Sequence, residues 1–144
     1  MKIFKTFIVL FVAACTMTSC ENEKIDTEGP EVQILNIEDD QVFYFGEELV
    51  MHFLFKDQVG MDAYRYEVFA KDYTEKSFMY RNTIELRSYY TQLEEFRSIL
   101  LPKRSTIEDY QEGEYLIKIT ASDIRGNLSE HYKTINIFYP EAED

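Results

Sequence analysis

Asp57-Gln58-Val59-Gly60 and Asp123-Ile124-Arg125-Gly126-Asn127 are two places in the chain where residue type and spacing together suggest chemistry. In each, an aspartate opens a short segment in which glycine can take the positive φ of a tight reversal, while the carboxylate can bond its own backbone. Carboxylates and backbone carbonyls gathered at such turns are the ligands that hard cations such as calcium take. Asp62, Asn127 or Glu130 could add further oxygens. Plain turn capping also accounts for both aspartates.

Other chemistries lack their parts. Zinc sites of the usual kind need histidine and cysteine. The chain has two histidines, His52 and His131, and its two cysteines, Cys15 and Cys20, both fall before residue 21. Both histidines sit in strand-like segments, where a solvent-facing imidazole is the plain expectation. A Ser-His-Asp arrangement would have to use one of them, and no Gly-x-Ser-x-Gly elbow is present. The 27 acids could supply a glycosidase pair, but so many make such pairs common by chance, and a small sandwich seldom has the cleft to use one. A non-enzymatic protein is expected.

Charge narrows the partners. Fifteen basic against 27 acidic side chains give a net charge of −12, and no basic cluster exists, so phosphate backbones are repelled and nucleic-acid binding is not expected. Eleven Tyr and 11 Phe in a 45% hydrophobic chain of 144 residues are enough for the core of one domain.

The N-terminus reads as an export leader. Lys2 and Lys5 precede the apolar run from Phe7 to Ala14, too short to cross a bilayer of roughly 30 Å. Cys15 and Cys20 end this region, and Val12-Ala13-Ala14-Cys15 and Met17-Thr18-Ser19-Cys20 both fit a bacterial lipobox, the first strictly and the second loosely. Cleavage before Cys15 would leave only Phe7 to Val12 as the apolar segment, so Cys20 is the expected lipidated residue; the alternative is an ordinary secretory leader. The expected layout is a lipoprotein signal peptide over 1–19, an acidic tether over 20–29, a folded domain over 30–140 and an acidic tail over 141–144. The acids after Cys20 resemble the surface-export signal of Bacteroidetes lipoproteins.

What would position the two aspartates is a set of strands. Leu49, Met51, Phe53 and Phe55 alternate with Val50, His52, Leu54 and Lys56, which is one buried face of a strand. Tyr64, Tyr66 and Val68 repeat the pattern, as do Tyr115, Ile117, Ile119 and Ala121, and then Ile135, Ile137 and Tyr139. Val32 and Ile34 mark a first strand, with a short continuation from Val42 to Phe45 after the loop from Glu38 to Gln41. Between residues 71 and 112, Phe78 to Tyr80 and Ile84 to Tyr90 suit strands. Leu93, Phe96 and Leu100 suit either one face of a helix or a strand ending at Pro102, and the strand is preferred, with a helical turn around Thr91 to Glu95 allowed. Short alternating strands without βαβ spacing predict an all-β, Ig-like antiparallel sandwich of about seven strands.

The run Gly113-Glu114-Tyr115, continuing through Leu116-Ile117-Lys118-Ile119-Thr120-Ala121-Ser122-Asp123 to Gly126 and Asn127, resembles the penultimate strand and last hairpin of bacterial Ig-like domains, with Tyr115 at the tyrosine corner and Gly126 in the turn. Together with Gly29-Pro30-Glu31, Phe53-Leu54-Phe55-Lys56-Asp57, Ile99-Leu100-Leu101-Pro102 and the leader, the chain resembles family 4625 of domains of unknown function, a set of Ig-like Bacteroidetes lipoproteins, from about Cys20 to Tyr139. The resemblance implies fold and address, and no activity. Members of that family often carry histidines where this chain has Phe69-Ala70-Lys71-Asp72 and Leu116, so a histidine metal site does not carry over.

In Ig-like order the Asp57 and Asp123 turns emerge at the same end of the sandwich, which makes Asp57, Asp123 and Asn127 the candidate calcium ligands; otherwise no cofactor is expected. Tyr73, Phe78, Tyr80, Tyr89, Tyr90 and Tyr110 crowd the middle of the chain. Such rings serve either as core or as a face for a glycan or protein ligand, and Tyr89, Tyr90 and Tyr110 are the candidate binding residues. The expected protein is a monomer, anchored by lipid to the outer membrane and displayed on the cell surface or, alternatively, on the periplasmic face. It acts as a binding or accessory module, or else as a structural part of an outer-membrane lipoprotein complex.

Overall fold

Alternating apolar residues have become strands wherever the pattern is strong. The computed structural model describes residues 25–104 and 109–141, so the leader and Cys20 lie outside the described residues. The strands are β1 (Glu31–Ile34), β2 (Gln41–Tyr44), β3 (Glu48–Lys56), β4 (Met61–Ala70), β5 (Met79–Ser88), β6 (Gln92–Leu100), β7 (Gly113–Asp123) and β8 (Leu128–Phe138). They form a three-stranded sheet in the order β1-β3-β6 and a five-stranded sheet in the order β2-β8-β7-β4-β5. In Ig terms β1, β3 and β6 hold the A, B and E places, and β8, β7, β4 and β5 hold G, F, C and C′. The fold is an Ig-like β-sandwich.

The inward faces are those that the alternation marks. Leu49, Met51, Phe53 and Phe55 on β3 and Tyr115, Ile117, Ile119 and Ala121 on β7 are fully buried, as are Ile135 and Ile137 on β8. Tyr64, Tyr66 and Val68 complete the layer from β4, and the Phe55 and Tyr64 rings lie 4.7 Å apart between the sheets.

One feature departs from expectation. Among the described residues there are eight strands, because the segment after β1 switches sheets: β2 pairs in parallel with β8, while the other pairings described are antiparallel. The strand preferred over a helical turn at Thr91 to Glu95 is present: β6 begins at Gln92 and pairs with β3 through nine consecutive positions. A helix would have put Leu93 and Phe96 on one side, whereas the strand turns Ile99 into the core at 4% exposure and leaves Phe96 outside at 61%.

Tyr115 forms the corner expected of it. Its hydroxyl donates to the Gln111 carbonyl at 2.6 Å and accepts the Phe78 N–H at 3.4 Å, so one buried phenol ties the approach to β7 to the approach to β5. Burial raises its pKa above the ordinary tyrosine value, because the phenolate would have to form away from water.

Candidate metal centre

Four chain segments meet at one end of the sandwich and are stitched together by backbone and side-chain bonds. The Asp57 N–H donates to the Thr91 carbonyl at 2.9 Å, joining the β3–β4 and β5–β6 turns, and the Ile124 N–H donates to the Gly60 carbonyl at 3.1 Å, joining the β7–β8 turn to them. Asn127 Nδ2 donates to the Asp26 carbonyl at 3.3 Å, which fastens the N-terminal segment across 101 residues of sequence. Gly60 is required where it stands: its φ is +110°, and a Cβ there would lie 2.4 Å from the Ser88 carbonyl oxygen. Gly126 also has a positive φ, +87°, and its N–H closes the last turn onto the Asp123 carbonyl.

This meeting point brings together Asp26, Asp57 and Asp123, with one carboxylate oxygen from each within 4.8 Å of the others. Asp57 Oδ1 accepts the N–H groups of Val59 and Gly60, both at 2.8 Å, which leaves Oδ2 outside the turn's own bonding. Asp123 is 1% exposed; its Oδ1 accepts from the Arg125 and Asn127 N–H groups, and its Oδ2 from Asn127 Nδ2 at 2.7 Å. Asp26 Oδ1 accepts the Glu28 N–H, while its Oδ2 is buried with no hydrogen-bond partner among the described residues. Among the described residues no lysine, arginine or histidine forms an ion pair with any of the three. Two like charges about 5 Å apart cost on the order of 3 kcal/mol at an effective dielectric of about 20, so the cluster has an electrostatic deficit that a cation would cancel. Three carboxylates brought this close, with no sulfur or imidazole among them, suit a hard divalent ion such as calcium, with carbonyls and water completing the shell.

Sequence reasoning named Asp57 and Asp123 and missed Asp26. The signal was present, since Asp26-Thr27-Glu28-Gly29 is a third Asp-x-x-Gly segment. Asn127 lies beside the cluster, its amide nitrogen donating to Asp123 Oδ2 and to the Asp26 carbonyl. Glu130 stays out of the group on β8, held by Lys118 at 2.6 Å, and Asp62 is exposed on β4.

Beside the three carboxylates runs an open cleft of about 370 Å³ lined by Asp26, Glu28, Glu31, Lys56, Asp57, Gln58, Thr91 and Gln92. Tyr89 and Tyr90, 82% and 74% exposed, occupy the adjoining β5–β6 turn. Tyr110 does not join them. It lies near the opposite end, its ring stacked on Phe45 at 5.9 Å and its N–H donated to the Tyr139 hydroxyl. The sequence grouped the three tyrosines by nearness along the chain, and the sandwich separates them. The histidines lie on strands away from the cluster: His52 stacks on Phe96 at 4.0 Å and bonds Glu94, and His131 has a lowered pKa, first from partial burial and then from the Lys133 charge.

The model of a family described as a domain of unknown function, DUF4625, matches residues 18–138. No curated protein matches the chain. Among solved structures, murine CRIg is similar with a TM-score of 0.41 and 8% identity, over 78% of this chain and 98% of that one.

Proposed function

We propose, from the premise that the chain belongs to the DUF4625 family, that this protein is a non-catalytic envelope module, held to the outer membrane by a lipid on Cys20 and displayed at the cell surface. Its loop-bearing end presents a protein or glycan ligand site that a bound calcium ion keeps in order. The observation that carries the cation is the meeting of Asp26, Asp57 and Asp123, where among the described residues there is no cationic partner and no hydrogen bond to the buried Asp26 Oδ2. The leader and lipobox support the anchor, and Tyr89 and Tyr90 beside the cleft support the ligand site, since exposed amphipathic rings bury area at low entropy cost.

Millimolar calcium is expected to raise the melting temperature by roughly 5–10 °C over a chelator control, the size of effect that saturating a site of moderate affinity gives a domain of this length. Asp26→Asn and Asp57→Asn should abolish the rise while melting no lower than the parent in chelator, because each also removes a like charge. Identical melting with and without calcium would remove the cation from this proposal. The ligand site is tested separately, on glycan and protein arrays: hits are expected, and they should weaken about tenfold with Tyr89→Ala or Tyr90→Ala. Arrays without a hit would favour the structural role in a lipoprotein complex.

A further inference from the structure

The outer edge of β6 carries an unpaired ladder with its own symmetry. An Ig sheet of the A-B-E-D kind places a fourth strand beside E. Here β5 passes straight to β6, and among the described residues no strand pairs with the far side of β6. The direction of its peptide groups follows from its neighbours. His52 accepts the Leu35 N–H at its carbonyl and donates its own N–H to Asn36, so its backbone faces β1. His52 lies opposite Phe96, which turns the Phe96 N–H and carbonyl away from β3 and toward the open edge. Among the described residues that carbonyl is reached by Arg97 Nη1, at 2.9 Å.

We propose that a second copy of this chain pairs there, β6 against β6, antiparallel about a two-fold axis at Phe96. The sequence Gln92-Leu93-Glu94-Glu95-Phe96-Arg97-Ser98-Ile99-Leu100 selects that register. An axis at Phe96 sets Glu95 of each copy opposite Arg97 of the other, and Leu93 opposite Ile99. An axis at Glu95 or Arg97 sets like charges face to face, and one at Glu94 or Ser98 sets Glu95 and Arg97 against uncharged residues. Charges pointing inward at a sheet edge ordinarily deter strand addition. In this register they admit the chain's own copy and exclude strands without the matching pattern. Arg97 is held in place for the contact by Glu95 of its own strand, which takes one of its terminal nitrogens. On the outer face the contact brings the two copies of Phe96, 61% exposed, against each other and adds to a strip that includes Val50 and Leu100. The contact involves none of the three aspartates, so it stands or falls independently of the cation.

The test uses the chain from residue 21 onward, which keeps every strand and has no cysteine. Sedimentation should show a reversible dimer, with a dissociation constant of about 10–100 μM, the range of a small edge-to-edge contact. Arg97→Glu should weaken it about tenfold, and Glu95→Arg combined with Arg97→Glu should restore it, since the swap re-creates both cross-pairs. Phe96→Cys, at an exposed site that leaves the core intact, should form a disulfide-linked dimer under mild oxidation, while Ser98→Cys alone should not. A monomer at every concentration overturns the proposal. A dimer in which Phe96→Cys fails to crosslink overturns it equally, because the register is wrong.

Discussion

Tyr115→Ala is expected to cost about 4 kcal/mol of folding stability, and Tyr115→Phe about 1–2 kcal/mol, read as shifts in urea midpoint at unchanged m-value. The larger figure combines two losses. The ring is fully buried, packed edge-on to Phe45 at 6.3 Å, and its removal leaves a cavity between the sheets. The hydroxyl also serves two backbone groups, the Gln111 carbonyl and the Phe78 N–H, which would be left without a partner in a half-buried corner. The phenylalanine variant isolates the second loss. If it melts with the parent, the corner bond contributes nothing and the segment leading into β7 is held by packing alone. The alkaline limb gives an independent reading. Burial raises the Tyr115 pKa in the folded chain, so the unfolded chain releases that proton first, and stability falls as pH climbs past about 10. Tyr64 and Tyr66 act in the same direction, so Tyr115→Phe should make the fall shallower without removing it.

The second large effect belongs to Asp123. Asp123→Ala should lose about 3 kcal/mol in chelator, because three donors, the Arg125 and Asn127 N–H groups and Asn127 Nδ2, lose a charged acceptor at a site 1% exposed. Asp123→Asn keeps Oδ1 for the two backbone donors but sets an amide nitrogen against Asn127 Nδ2. It should cost about 1–2 kcal/mol, part of it offset by relief of the repulsion from Asp26 and Asp57. Chemical denaturation in the presence of chelator measures both. An alanine variant as stable as the parent would mean that the turn does not depend on its carboxylate, and the rigid placement of the site would lose its basis. These variants report on the turn; Asp26→Asn and Asp57→Asn report on the cation.

The legible part of this molecule was the part encoded by alternation. Leu49 to Phe55 announced a buried strand face because a period of two has one consequence for a strand in water, and the Gly-x-Tyr start of β7 announced its corner because the hydroxyl's partner is only four residues upstream. The pairing of the Asp57 and Asp123 turns was legible once the strand order was supposed. The illegible parts depended on distant chain. Leu93, Phe96 and Leu100 fit either a helix or a strand by spacing, and it is the nine-position ladder with β3 that decides for the strand. Tyr110 and Tyr89 are close in sequence, yet β6 carries the chain from one end of the sandwich to the other between them.

By itself the sequence determined the all-strand class, the faces that would be buried, the turns and the acidic balance, because each is set by residues within a few positions of one another. Tertiary structure alone decided that β2 leaves its neighbour to pair with β8, that β6 is left with an open edge, and that Asp26 joins two aspartates from other turns. Those outcomes rest on which strands lie side by side, and that choice is made by burying whole faces against each other, at separations where no local spacing carries information.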